Sequence, residues 1–471
     1  MRGWVTIGVI GLLSGLGIYW GWGLQPVWLL SWLAPVLLLW LAMRSTLRTS
    51  LFAGVLAGAI GYGGSFPYYR SILPLPMTFA VIFGEIVFLC VAIAFVYWQS
   101  RRLPKAWHPW LFPLVLTSIE LLVRVVSGNG DASSIAFSQG DQPVVLQIAS
   151  VTGSLGIVFL LALLPAWLAV LFSSAPRRLV SLAAPPIVLI LVLFGGYWRL
   201  IHTSSHETVP VSLVCMDSRM PRSDDAEGRT RLMRSYATAI AGLPAQTLVV
   251  MPERIVNIPQ SDLEALDRQF WDLATQFKHP ILAGGAVWER DRASNQARLY
   301  LPSQPCLVYQ KQHLVPGLER AFGPGTKEVV ASIGGTRVGV AICRDLFFES
   351  PSFQYGRLGV QVLAVPGWDF PPDGWFRARL ALVRGVENGM AVARSARQGM
   401  LTLSDRYGRI IAERSSDGNG SPVTLTGMLP VEPARQTLYL KGGWLFPWVC
   451  LALCLVLVVR SLWQQVRAGK R

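Results

Sequence analysis

Seven long apolar stretches crowd the first 200 residues, and an eighth lies near the far end of the chain. They cover 4–22, 26–43, 51–67, 75–98, 107–126, 146–172 and 179–198, then 444–459. A helix needs about 20 apolar residues to span a bilayer. Backbone crossing lipid must also satisfy its own hydrogen bonds. The pattern therefore predicts a multi-pass α-helical membrane bundle. The third and eighth stretches are short for a span, and tilt or local thinning accommodates them. The first has the apolar run of a signal peptide but no small-x-small cleavage site after Gly23, so it is read as a retained helix.

The charge is divided unevenly. Only 15% of the residues are charged, against about 25% in an ordinary globular domain. The formal net charge of +15 raises the question of a nucleic-acid partner. Residues 1–200 hold 11 Lys and Arg against 4 Asp and Glu, residues 201–440 hold 26 against 23, and residues 441–471 hold 5 against none. The excess thus sits in the apolar ends. The central block lacks a basic run with interleaved aromatics, so no nucleic acid is expected as a partner.

A membrane orientation explains the excess better. With the N-terminus inside, the cytoplasmic segments hold Arg2, Arg44, Arg48, Arg101, Arg102, Lys105, Arg177, Arg178, Arg460, Arg467, Lys470 and Arg471. The short outer segments hold Arg70 and Arg199. Both termini are therefore expected in the cytoplasm and residues 201–440 outside it. Glu85, Glu120 and Arg124 fall at membrane depth, where ionisable residues point to function by default. Glu120 and Arg124 are four apart on one helix face, which also fits a self-neutralising structural pair.

From about Val209 the pattern turns to short β-rich runs alternating with helical stretches, a mixed α/β block large enough for one domain. Strands are expected at 211–215, 247–251, 280–287, 297–301, 306–310, 336–342, 362–365, 391–395, 400–404 and 410–413. Helices are expected at 226–241, 261–277 and 375–389. Ser261 with Glu264 reads as a capping box.

Three of these strands end in groups with complementary chemistry. Glu253 follows the strand at 247–251, Lys311 the strand at 306–310, and Cys343 the strand at 336–342. A strand end fixes a Cα while the loop beyond leaves room for substrate. A thiolate attacks acyl carbon, a carboxylate moves its proton, and an ammonium steadies an oxyanion and a thiolate. Taken singly, each residue also reads as a solvated or core position. The five His are scattered, and the six Cys form no Cys-x-x-Cys pair. No metal and no organic cofactor is expected.

In combination these residues resemble the carbon–nitrogen hydrolase, or nitrilase, superfamily. The matching segments are Met251-Pro252-Glu253, Tyr309 to Pro316, Gly339 to Asp345, Arg384 to Asn388, and Gly408 in the late hairpin. The whole layout is similar to the apolipoprotein N-acyltransferase family, supported by Ala136 to Gln139, Thr152 to Gly156 and His313-Leu314-Val315-Pro316. The resemblance implies an extracytoplasmic nitrilase-like α-β-β-α sandwich, with Glu253 as general base, Lys311 as oxyanion stabiliser and Cys343 as nucleophile. It also implies Glu319 as a second carboxylate orienting Lys311. Arg344 stands where the family has an aromatic residue, and is expected to favour the thiolate.

The implied division is a transmembrane bundle at 1–200, a catalytic domain at 201–440, and a last helix with a basic cytoplasmic tail at 441–471. The implied reaction moves an acyl group from a phospholipid donor, through a Cys thioester, to the amino group of a diacylglyceryl-modified lipoprotein at the bacterial inner membrane. The aromatic run Trp368, Phe370, Trp375 and Phe376 is expected to form a lipid-facing loop; ordinary packing under a loop explains it equally well. Two other readings stay open. One is a membrane-anchored amidase, with water resolving the thioester; the other is a specialised homologue in plasmid conjugal transfer.

Overall fold

Proline and glycine interrupt some apolar stretches and not others: Pro35 and Gly153 stand at helix breaks, whereas Pro113 and Pro165 lie inside helices. The computed structural model describes residues 2–173, 182–203, 207–216, 226–302, 304–416 and 422–468. Arg177, Arg178, Lys470 and Arg471 of the basic segments lie outside the described residues. The chain divides into two compact units, Met1–Arg199 with Gly442–Arg471, and Leu200–Lys441.

In the first unit, six helices among the described residues are long and apolar enough to cross a membrane: Trp4–Gly21, Leu75–Ser100, Lys105–Val126, Ser154–Leu171, Ala184–Ile201 and Gly443–Arg467. A seventh arises if Leu47–Gly63 and Phe66–Ile72, bent by 54°, count as one span. Three expected stretches are therefore corrected. The second breaks at Ala34-Pro35 into Trp28–Leu33 and Val36–Arg44, because proline supplies no N–H for the helix ladder. The third becomes the bent pair. The sixth starts as two short turns, Pro143–Leu146 and Ala149–Thr152, and runs straight only from Ser154, after Gly153 at φ +76°.

The first helix packs on Leu47–Gly63 through small residues: a Cβ on Gly11 would lie 2.8 Å from Leu56, and one on Gly15 2.8 Å from Ile60. Such residues let membrane helices approach closely. Several polar residues of this unit are paired within it. Glu120 accepts from the Ser134 hydroxyl at 2.5 Å and the Ile135 amide at 3.4 Å. Arg124 donates to Asp131 at 2.5 Å and to Ser154 at 2.7 Å, and Trp32 donates to Gln139 at 2.9 Å. Glu120 and Arg124 thus anchor the segment from Asp131 to Ser154, and Arg124 pairs with Asp131 where a mutual pair with Glu120 was expected.

The second unit contains strands β1 (Glu207–Cys215), β2 (Leu248–Val250), β3 (Val256–Pro259), β4 (Ile281–Glu289), β5 (Arg292–Tyr300), β6 (Leu307–Gln310) and β7 (Phe322–Gly323). They are followed by β8 (Val330–Ile333), β9 (Thr336–Val340), β10 (Val362–Trp368), β11 (Ala391–Arg397), β12 (Met400–Ser404), β13 (Ile410–Ser415) and β14 (Val423–Val431). One sheet has the order β14-β1-β2-β4-β5-β6, with β3 on β4 and β7 on β5; the other runs β13-β12-β11-β10-β9-β8.

Alternation along the strands builds the layers. Val211, Leu213 and Cys215 face Val338, Val340, Val362 and Ala364 in a core shared by both sheets. Val214, Val249 and Ile281 point the other way, onto Tyr236 of helix Ala226–Ala241 and Phe270 of helix Leu263–Phe277. Helix Gly374–Asn388 packs on β11 and β12. The result is the expected α-β-β-α sandwich, and strands covered on both faces read as nearly continuous apolar runs.

Several local expectations need correction. Helix Leu263–Phe277 starts two residues late, behind a 3₁₀ turn at Gln260–Asp262, and its N-cap is Asp262 without a side-chain cap bond. Asp262 is held instead by Arg229 at 2.5 Å, while Glu264 pairs with Arg268 at 2.7 Å on the exposed face. No capping box forms. Strands β3, β7, β8 and β14 were not expected. The first two are too short for periodicity, and β14 carries Gly427 and Pro430, which an edge strand tolerates.

Candidate active site

Each candidate side chain sits where a strand gives out. β2 ends at Val250, and the chain passes through Met251-Pro252 to Glu253. That passage hugs β4 so closely that a Cβ on Gly284 would lie 2.8 Å from the Glu253 Cα. The Glu253 amide donates to the Gly367 carbonyl at 3.2 Å, joining this strand end to β10. β6 ends at Gln310, and the Lys311 amide donates to the Asn295 carbonyl on β5 at 2.8 Å.

Lys311 is 1% exposed and lies between two carboxylates. Its Nζ is 2.8 Å from Glu253 Oε1 and 3.0 Å from Glu319 Oε2. Asn295 Nδ2 bridges the same two acids, at 2.7 Å from each. Glu319 also accepts from the Val315 amide at 2.6 Å, which folds the loop after the lysine back on itself. Burial works against the ammonium, but Glu253, Cys343 and Glu319 outweigh it and hold Lys311 above its usual range.

Cys343 follows β9 at φ +44°, an uncommon conformation for a residue with a Cβ. The turn is held by Asp345, which is fully buried. Its carboxylate accepts from the Ile342 amide at 3.0 Å, the Tyr309 hydroxyl at 2.8 Å, and the amides of Gln312 and His313 at 3.1 and 2.8 Å. One carboxylate thus ties the cysteine turn to the lysine loop. Arg384 supports the turn from the helix side, donating to the Leu346 carbonyl at 2.8 Å and pairing with Glu387 at 2.6 Å. The Cys343 thiol meets the Trp368 carbonyl at 3.5 Å.

Burial pushes the Cys343 thiol well up, and Glu253 adds to this while Lys311 opposes it. This balance favours the thiol form until a base takes its proton, as the general-base role expected of Glu253 requires. Arg344 donates its Nη1 to the Leu314 carbonyl at 2.5 Å, and its guanidinium rests 5.2 Å from the Phe348 ring. Lys311 and Arg394 favour the thiolate, and Arg344 also interacts favourably with the Cys343 charge. Cys306 is pushed up to about 11 by burial, and Cys215 is fully buried.

The structure brings Glu253, Lys311 and Glu319 into direct contact, with Cys343 inside their electrostatic reach. The aromatic run is less open than expected. Phe376 is 4% exposed and buried in the first turn of its helix, which corrects its lipid-facing assignment. Trp368, Phe370 and Trp375 are half-buried, and Arg379 lies 5.0 Å from the Trp375 ring. Asn295 was missed. Its signal was an Asn on the inward-facing register of Ala293, Ala297 and Leu299, where a strand disfavours it.

Comparison with known proteins agrees with this architecture. Residues 14–167 match the apolipoprotein N-acyltransferase N-terminal domain, and residues 211–436 match carbon-nitrogen hydrolase. The chain is 24% identical to an apolipoprotein N-acyltransferase of Geobacter metallireducens, over 91% of this chain and 90% of that protein. It is 20% identical to one of Haemophilus ducreyi, over 94% of each. An (R)-stereoselective amidase of a Pseudomonas species is 27% identical over 34% of this chain and 53% of its own length. Two domain matches in this order, with relatives aligned nearly end to end, mean that the chain belongs to the apolipoprotein N-acyltransferase family of the carbon–nitrogen hydrolase superfamily.

Proposed function

We propose that this protein moves a fatty acyl group from a phospholipid to the α-amino group of a diacylglyceryl-cysteine at a lipoprotein N-terminus. The observation that carries the reading is the buried ammonium of Lys311, held by Glu253 and Glu319 beside Cys343. The thiol gives its proton to Glu253 as sulfur bonds to the ester carbonyl carbon. An ammonium has three donors. With two directed at carboxylates, the third is available to the oxyanion of the tetrahedral intermediate. Collapse breaks the carbon–oxygen ester bond, and the proton on Glu253 leaves with the lysophospholipid alcohol. The amine then attacks the thioester, its proton passes to Glu253, and the amide departs as the thiol re-forms.

The amidase reading differs only in the last step, where water replaces the amine. Incubating acyl-loaded protein with a synthetic diacylglyceryl-cysteine peptide separates the two. The transferase reading expects an N-acylated peptide in amounts matching the acyl group lost from Cys343. Free fatty acid in that amount, at a rate indifferent to the peptide, favours the amidase.

We further propose an inner-membrane location with the Arg101-Arg102-Lys105 segment in the cytoplasm and the catalytic unit outside it, following the basic bias of alternate segments. A reporter active only outside the cytoplasm should be active when fused after Arg435 and silent after Lys105. The opposite pattern contradicts both the orientation and an acceptor presented on the outer leaflet.

A further inference from the structure

Buried arginines of the catalytic unit typically have a carboxylate. Arg298 pairs with Asp267, Arg379 with Glu413, Arg384 with Glu387, and Arg394 with Asp369. Arg254 and Arg397 break the pattern. Arg254 immediately follows Glu253, and Arg397 ends β11. Among the described residues neither has an ion pair, and the Nε of each is buried without a hydrogen-bond partner. Arg397 commits only Nη1, to the Arg254 carbonyl at 3.0 Å, so the two side chains are neighbours.

Both guanidinium groups lie over Trp368. The ring centre is 4.3 Å from Arg397 and 5.6 Å from Arg254, and Arg254 also sits 4.7 Å from the Phe322 ring. Stacking of this kind orients a guanidinium while leaving its edge donors open. The indole is itself fixed by a bond from Nε1 to Gln398 at 3.1 Å. Its carbonyl is the group that the Cys343 thiol meets. The arginine pair is therefore joined to the nucleophile through one residue, Trp368, whose ring carries the guanidinium groups and whose carbonyl meets the thiol. The nearby acids do not neutralise it, because Glu253 is held by Lys311 and Asn295, and Asp369 by Arg394.

Two adjacent cations with uncommitted donors repel each other, and an anion with several acceptor oxygens relieves this. We propose that Arg254 and Arg397, arranged on Trp368, form a phosphate subsite that takes the phosphodiester of the acyl donor. The assignment rests on the phospholipid-donor reading. In a glycerophospholipid one glycerol unit separates the ester carbonyl from the phosphate, so a donor with its carbonyl at Cys343 holds its phosphate a glycerol unit away, a separation that the span of Trp368 between thiol and guanidinium groups matches in kind.

The test uses full-length protein in micelles. Initial acylation of Cys343 is measured with a diacyl phospholipid and with a diacylglycerol of the same chains, in wild type and in Arg254→Gln/Arg397→Gln. The double variant should lose roughly tenfold or more on the phospholipid, the size expected for one charge-assisted contact or more, with the diacylglycerol rate preserved. Arg254→Lys/Arg397→Lys should recover part of the loss. In parallel, binding of sn-glycerol 3-phosphate and of inorganic phosphate is measured calorimetrically on Cys343→Ala, with and without the arginine substitutions. Saturable, arginine-dependent binding that favours the glycerol ester supports the subsite, even if no lipid acylates the wild type; that outcome removes the donor reading alone. Equal loss on both donors, tighter binding of inorganic phosphate, or no arginine-dependent binding overturns the proposal.

Discussion

Lys311→Ala should cost both turnover and stability, and the two losses should be separable. Removing one oxyanion donor lowers the rate by about 2.7–4 kcal/mol of transition-state stabilisation, or roughly 10²–10³-fold. The same change leaves Glu253 and Glu319 facing each other, both buried and bridged only by Asn295. Breaking a buried ion pair from one side costs about 3–5 kcal/mol. Adding Glu319→Gln removes one of the stranded charges. The double variant should therefore regain much of the unfolding midpoint lost in Lys311→Ala and none of the activity. A double variant that recovers turnover would mean that Lys311 serves the fold and not the reaction.

Glu253→Gln should move two properties of Cys343 in opposite directions. Burial and the Glu253 charge both raise the proton affinity of the thiol. Loss of the carboxylate lowers the thiol's proton affinity, so alkylation by iodoacetamide near neutral pH should become faster, and its rate should level off at a lower pH than in wild type. Acylation needs a base to take the proton, and should fall by about 10²–10⁴-fold. Measuring both on one preparation makes a folding defect easy to recognise, since that would not produce a faster, pH-shifted alkylation with slow acylation. Parallel losses of alkylation and acylation would contradict the role given to Glu253.

The site was legible in the sequence to the extent that strand ends were legible. Short apolar runs closed by Glu253, Lys311 and Cys343 gave both the element and the point where it stops, and the chemistry of the three types is complementary. Glu319 came through the resemblance, and the structure finds it on Lys311 at 3.0 Å. What the sequence concealed lies across strands. Asn295 reaches Glu253 and Glu319 only because β5 runs beside β4 and β6. Asp345 was visible as the last residue of the Gly339 to Asp345 match, but its hold on the lysine loop depends on two loops that are about 30 residues apart in the chain. The pairing of Arg254 and Arg397 on Trp368 is likewise a product of packing three distant segments.

In the helical unit, hydropathy located the apolar segments but not their breaks. Window averages count Pro35 and Gly153 as interruptions of little weight, whereas the backbone treats them as ends. The short apolar helices Trp28–Leu33 and Val36–Arg44 are the consequence. Similarly, β3 and β7, at four and two residues, carry too few positions for alternation to register.

A thioester route requires that Cys343 carry the acyl group. Wild-type protein purified from membranes and digested under mild conditions should yield a Cys343 peptide heavier by a fatty acyl chain, and hydroxylamine should remove the added mass. Cys343→Ala should lose the adduct, whereas Cys215→Ala and Cys306→Ala, which alter packing cysteines, should keep it. An acyl group found on Cys215 or Cys306, or one that persists in Cys343→Ala, would contradict the account.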